Sequence, residues 1–246
     1  MSSTTWMPTE VSSEACSWSG RIWRMVEAQH IASTARIVDT REEQELLEEI
    51  LEESKPPVPP NAQGLDYLLY SPFRYTPLSP SGSRFRGATD PGVFYGAETV
   101  RTAAAEVGYW RWRFLQDTSG LERLPPCTFT AFKVPIKTSA VDLRRPPFDR
   151  DAALWQHPFD YSATQAFARV ARDAGMGAIL YFSVRDPDRH FCAAVLMPKA
   201  FAAKKPDRTT QTWTLTVSEK EAIWLRHGAE SFSLPTAIWR RNGKGE

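Results

Sequence analysis

Two periodicities divide the chain into helices and strands. Leu46, Leu47, Ile50 and Leu51 recur at three- and four-residue spacing behind a capping box of Thr40 and Glu43, which predicts a helix over Thr40–Ser54. Its apolar stripe is thin and lies beside seven glutamates. Lys55-Pro56-Pro57-Val58-Pro59-Pro60 ends it, because proline lacks the backbone donor that a helix needs, and residues 55–63 read as a stiff linker. A second helix is predicted over Thr99–Phe114, with Val100, Ala103, Ala104, Val107, Trp110 and Phe114 on its inward face. A third covers Ser162–Ala174, opened by Ser162 and Gln165 as a capping box and closed by Gly175. Strands are predicted at Cys127–Val134, around Val141, at the apolar runs Ala178–Val184 and Phe191–Met197, and at Gln211–Val217, where Trp213, Leu215 and Val217 alternate with threonines. Residues 64–96 are rich in turn formers and predict short strands and loops. Residues 1–17 show no periodicity and are expected to form a loose tail, with order beginning near Ile22; the basic end, Arg240 to Lys244, is expected to fray.

Helices and strands do not alternate, so a doubly wound parallel sheet is excluded and the expected class is α+β, a mixed, largely antiparallel sheet with flanking helices. At 246 residues the chain can bury a full core. Thirty basic against 29 acidic side chains give a net charge of +1, which argues against a polybasic nucleic-acid binder. No apolar run approaches the ~20 residues of a membrane span, and the N-terminus lacks the basic start and apolar stretch of a signal peptide. A cytoplasmic protein is expected. Cys16, Cys127 and Cys192 form no Cys-x-x-Cys, which fits a reducing compartment, and His30, His157, His190 and His227 show no ligand spacing, so no metal is expected. Dinucleotide-binding glycine motifs, phosphate-binding loops and Gly-x-Ser-x-Gly elbows are absent. What changes the picture is the aromatic content of 12%, which must either pack a core or line a site that grips a flat ligand.

One tract is specific. Gly82-Ser83-Arg84-Phe85-Arg86 is followed by Gly92-Val93-Phe94-Tyr95-Gly96-Ala97-Glu98-Thr99 and then by Thr102-Ala103-Ala104-Ala105-Glu106-Val107. With Trp23-Arg24-Met25-Val26 before it, and Tyr161-Ser162-Ala163-Thr164-Gln165 and Phe182-Ser183-Val184 after it, the order resembles the RES domain. That family is the toxin half of bacterial toxin–antitoxin pairs, is named for its Arg, Glu and Ser, and is similar in fold to ADP-ribosyltransferases and diphtheria-type toxins, which consume NAD. The resemblance spans roughly residues 20–200 and implies a single RES-like domain over 18–246, with a helical and proline-rich insertion at 40–63.

Cleaving the N-glycosidic bond of NAD builds positive charge on the ribose, and a nearby carboxylate stabilises it or holds the 2′-hydroxyl. Glu106 is the candidate; a solvent-facing helix glutamate is the plainer reading of the residue alone. Tyr95 precedes the helix and offers a π face to the cationic nicotinamide, where composition alone fits a core tyrosine equally. Arg24, Arg84 and Arg86 are candidates for the diphosphate or ribose, because guanidinium binds phosphate oxygens through two parallel hydrogen bonds. At Arg86 the chain departs from the family's Gly-Arg-Trp-Asn, reading Arg86-Gly87-Ala88-Thr89. Ser162 and Ser183 compete for the serine of the name. Ser162 also reads as a helix cap, and Ser183 as a strand-end hydroxyl on the backbone. Tyr75, beside Arg74, is a candidate for the same cleft, with a packed loop as the equal alternative. Trp110-Arg111-Trp112-Arg113 is read as core plus solvated arginines rather than a nucleic-acid surface.

The resemblance implies an NAD-degrading toxin with NAD as substrate, no cofactor, and water or inorganic phosphate as acceptor. An ADP-ribosyltransferase acting on a macromolecule and a non-catalytic binding module are the alternatives. It also implies an antitoxin, usually of the Xre helix-turn-helix type. The Thr40–Ser54 helix could dock a partner or a second copy, but is expected to pack on its own domain.

Overall fold

The structure is a computed structural model that describes residues 6–28, 38–77, 80–226 and 228–240. Its organising element is the 20-residue strand β3 (Arg123–Asp142), where the predicted strand at Cys127–Val134 and the stretch around Val141 merge. β1 (Cys16–Glu27) pairs antiparallel with it along its whole length, Cys16 opposite Ala140 and Glu27 opposite Phe129. On its other side β3 holds β6 (Thr210–Ser218) near its start and β4 (Ala178–Phe182) near its end. The β3–β4 pairing is parallel, which demands a crossover. α5 (Ala152–Trp155) and α6 (Ser162–Asp173) lie in that crossover.

β4 pairs with β5 (Phe191–Val195), β5 with β2 (Phe94–Ala97), and β2 returns to β1 where Ala97 faces Trp23. Five strands therefore close a hydrogen-bonded ring in the order β1-β2-β5-β4-β3, while β6, β7 (Glu221–Arg226) and β8 (Ser231–Pro235) continue outward from β3. The observed class is the predicted mixed, largely antiparallel α+β arrangement.

Closure explains why β4 and β5 read as unbroken apolar runs: both of their faces are covered. Ile22, Phe94, Phe132, Val134, Ile136, Leu180, Ala193 and Val195, from all five ring strands, gather in one buried cluster. Leu69 of α3 (Tyr67–Arg74) and Phe201 complete it. The opposite faces of the same strands, through Met25, Ala97, Ile179, Tyr181, Cys192 and Ala194, join the larger core with α4 (Val100–Asp117) and α6.

α4 packs through small residues. Ala103, Ala104, Ala105 and Gly108 are buried beside Thr102, Tyr109, Trp112 and Leu115. At Gly108 an added Cβ would stand 3.0 Å from the ring of Trp239, so any larger residue would push that ring back by a few tenths of an ångström. The inward face is thus rotated from the one expected. Trp110 and Phe114, assigned to the core by the sequence, are 48% and 55% exposed, while Trp112, the other tryptophan of that run, is buried as expected. The periodicity of α4 places apolar residues on two faces, and packing buried the one on which Ala105 and Gly108 stand beside Tyr109 and Trp112.

Other expectations shift in the same way. Residues 1–5 of the expected tail lie outside the described residues, but α1 (Pro8–Ser13) follows and Trp6 is buried against Phe148, so order begins before Ile22. α3 replaces short strands in the 64–96 segment, helped by Asp66 accepting from Leu68 N–H as a cap. β7 and β8 have no counterpart among the predicted elements.

The Thr40–Glu43 capping box forms as predicted and opens α2 (Arg41–Glu53), but the stripe of α2 does not pack on its own domain: Leu46, Ile50 and Leu51 stay exposed. Arg74 reaches Glu52 at 2.6 Å and also donates to the carbonyl of Pro56. His30, His227 and residues 241–246 lie outside the described residues. No helix among the described residues is long and apolar enough to cross a membrane.

Candidate active site

The residues of the specific tract converge on one cavity of about 250 Å³, lined by β1, β2 and β5, by the start of α4 and by the loop before β2. Glu106 and Ala103 come from α4, Trp23, Arg24 and Met25 from β1, Tyr95 from β2, and Ser83 and Arg84 from the loop. Tyr161, Tyr181, Trp110 and Cys192 complete much of the wall.

Glu106 is held from below. Ser183 Oγ donates to its Oε1 at 2.6 Å, and the same hydroxyl accepts the N–H groups of Arg185 at 3.2 Å and Asp186 at 3.1 Å. A hydroxyl that accepts two donors must direct its own proton elsewhere, so this turn aims the Ser183 proton at the carboxylate. Among the described residues no cation lies within ion-pair distance of Glu106, so its charge remains free to act on a ligand. Burial drives the thiol of Cys192 and the phenol of Tyr181 well above their ordinary pKa values, with the Glu106 carboxylate pushing the same way. Both line the cavity as neutral groups.

Arg84 stands at the tip of a tight loop. Ser83 and Arg86 exchange backbone hydrogen bonds at 2.7 and 3.1 Å, and Gly82 turns the chain in with φ of +72°, where a Cβ would strike the Arg86 carbonyl. Arg84 is buried with its guanidinium donating to the carbonyls of Trp155 at 2.9 Å and His157 at 3.0 Å and lying over the Tyr161 ring. It makes no ion pair among the described residues. Arg24 donates to the Tyr95 carbonyl at 2.9 Å and lies over Phe94, and its Nε is buried without a partner among the described residues. Burial draws its pKa down to about 10, so it remains charged at neutral pH.

Tyr95 has a second task. Its hydroxyl accepts the N–H of Phe85 at 2.9 Å and pairs with Ser83 Oγ at 2.8 Å, and burial raises its pKa. The hydroxyl therefore fastens the Arg84 loop while the ring lines the cavity.

Glu106, Ser183, Arg84, Arg24 and Tyr95 are thus brought together, and three candidates are not. Ser162 lies outside this cavity, in a neighbouring groove of about 600 Å³. Nor does it cap α6: Tyr161 holds the cap position, Asp160 accepts the Ser162 N–H at 2.9 Å, and the Gln165 amide donates to Ser81 and Ser83 carbonyls at 2.8 and 3.0 Å. Arg86 spends its guanidinium on the carbonyls of Asp90 and Tyr75, and partly exposed Tyr75 contributes only that carbonyl; neither lines the cavity. The departure from the family pattern at Arg86 coincides with this bracing role.

Thr164 and Gln165 were missed as site supports. Thr164 Oγ1 donates to the Arg84 carbonyl, so α6 grips the loop from both sides of its tip. Among the described residues, Asp186, Asp188 and His190 could offer atoms to a cation, within 4.8 Å of one another. Asp186 is already engaged by Thr102 Oγ1 at 2.7 Å and His190 Nδ1 at 2.9 Å.

Among curated proteins, no sequence matches this chain. A chain of the solved M. tuberculosis MbcT–MbcA toxin–antitoxin complex is similar over 94% of this chain and 93% of its own, at 11% identity and a TM-score of 0.47. The family model described as the RES domain matches residues 58–218, about two thirds of the sequence and the stretch that contains Arg84, Tyr95, Glu106 and Ser183, and the chain belongs to that family.

Proposed function

We propose that this protein is the toxin of a toxin–antitoxin pair and degrades NAD by cleaving the nicotinamide–ribose bond. The observation that carries the reading is a carboxylate with no ion-pair partner among the described residues, Glu106, fixed by Ser183 at 2.6 Å in a small cavity walled by aromatic rings and two arginines. RES family membership supports NAD as the substrate.

The C1′–N bond breaks with its electron pair passing to the ring nitrogen, which turns cationic nicotinamide into a neutral leaving group and leaves an oxocarbenium-like ribose. Glu106, half-buried among apolar and aromatic walls, stabilises that charge where the field of a carboxylate is stronger than in bulk water. Aromatic walls favour the cationic ring before cleavage. Arg24 and Arg84 supply donors for phosphate or ribose oxygens. Water then adds its oxygen to C1′ and releases a proton; an oxygen of inorganic phosphate takes that place if phosphate is the acceptor.

The test is purified protein with excess NAD, followed by chromatography and product mass, with and without phosphate. Catalytic loss of NAD with free nicotinamide is expected, and the mass of the second product names the acceptor. Label transferred to a macromolecule instead makes it an ADP-ribosyltransferase, and unchanged NAD makes it a binding module. Glu106→Gln, which keeps size and the Ser183 contact, should lower kcat by roughly 10²–10³-fold. Undiminished turnover would remove Glu106 from the mechanism.

A further inference from the structure

The cavity that holds Glu106 is too small for a whole dinucleotide: its 250 Å³ falls below the ~300–1,000 Å³ of sites that enclose drug-sized ligands. It suffices for nicotinamide and one ribose. The neighbouring groove of about 600 Å³ shares Trp110 and Tyr161 with it, so the two spaces meet at these rings.

Their charge differs. Among the described residues Arg24 and Arg84 make no ion pair, whereas the arginines of the groove are balanced, Arg113 by Asp117 at 2.8 Å and Arg169 by Asp90 at 2.9 Å. A diphosphate belongs with unbalanced cations, and a neutral heterocycle with its ribose belongs in the balanced groove. Trp110 offers that heterocycle a face, being about half exposed where the helix leaves the cavity, while its neighbours Tyr109 and Trp112 are buried. Asp160, whose Oδ1 accepts the Ser162 N–H at 2.9 Å, keeps further lone pairs for ribose hydroxyls or an exocyclic amine.

We infer that the second groove receives the adenosine half of the dinucleotide, with the adenine stacked on Trp110 and the diphosphate crossing at Tyr161. This rests on the proposed NAD cleavage and gives Ser162, which lines the groove, a place at the adenosine rather than at the scissile bond.

Steady-state rates on NAD and on nicotinamide mononucleotide, which carries the same glycosidic bond without adenosine, test it. Wild type should prefer NAD in kcat/KM by at least about tenfold, since base–aromatic stacking contributes on that scale. Trp110→Ala should raise KM for NAD roughly tenfold more than KM for the mononucleotide, which meets Trp110 only at the edge of the Glu106 cavity, and so collapse the preference. Trp110→Phe should recover most of it, and equal melting temperatures establish that the partly exposed position tolerates both changes. Equal use of the two substrates by wild type, or an unchanged preference in Trp110→Ala, overturns the inference while leaving NAD cleavage intact. Cleavage of neither substrate by wild type overturns the proposed function and this inference with it.

Discussion

Ser183 shows how one side chain serves structure and site together. It is buried, accepts two amide N–H groups of the turn after β4, and donates to Glu106. Ser183→Ala strips the carboxylate of its donor and leaves those amides unpaired. The expected result is a kcat lowered by roughly tenfold or more, with stability lowered by about 1–3 kcal/mol in urea unfolding. A stability loss with kcat unchanged would reduce Ser183 to a strand-end hydroxyl. Tyr95→Phe separates ring from hydroxyl in the same manner: the stacking face remains while the Phe85 N–H loses its acceptor. KM for NAD should rise severalfold through a loosened Arg84, and a KM equal to wild type would show that the hydroxyl does not position the loop. The Ser183–Glu106 contact was half legible in the sequence. Both residues stood in recognisable motifs, but they are 77 positions apart, and the choice between Ser162 and Ser183 needed coordinates.

At the scale of elements, the loop that carries Arg84 is a part held by its neighbours. The N-terminal turn of α6 grips it through Thr164 and Gln165, and Asp90 closes its far side by accepting the Gly87 N–H at 2.8 Å and the Arg169 Nε at 2.9 Å. Burial pushes the Asp90 carboxyl up, but the hydrogen bonds from Arg169 and Gly87 outweigh it and hold the pKa below the ordinary 3.8. The sign follows by linkage. A carboxyl depressed in the folded state binds fewer protons than in the unfolded chain, so its stabilisation is complete above pH ~4 and is lost as pH falls through the lower, folded value. The stability advantage of wild type over Asp90→Asn should therefore be full above pH ~4 and shrink as the pH falls below that value; parallel curves would refute the linkage. The capping-box reading of Ser162 and Gln165 failed for a related reason. Gln165 fits the motif, yet three loop carbonyls compete for its amide and win, a contact that spans about eighty residues of sequence.

Over the whole molecule, the family-matched stretch ends at residue 218, but the core does not. Trp224, Leu234 and Trp239 are fully buried, and the Trp239 indole donates to the Arg185 carbonyl at 3.0 Å, next to the turn that holds Ser183. Loss of one such tryptophan costs about 3–5 kcal/mol against a total stability of roughly 5–15 kcal/mol. A chain ending at residue 218 should fail to fold, seen as loss of near-ultraviolet circular dichroism and of cooperative melting. A cooperative melt would show that β7, β8 and Trp239 are dispensable.

What the sequence determined by itself was local: the α4 and α6 spans, the Thr40 cap, the apolar strands β4 and β5, the α+β class, and the motifs that contain Glu106, Tyr95, Arg84 and Ser183. Each depends on neighbours within a few positions, where periodicity and capping chemistry operate. Only the tertiary structure decided which face of α4 turns inward, that five strands close a ring, and that Trp110 stands at a cavity mouth instead of in the core. Those outcomes depend on how closely distant surfaces can approach, and small residues such as Ala104 and Gly108 allow a contact that larger apolar residues would push back.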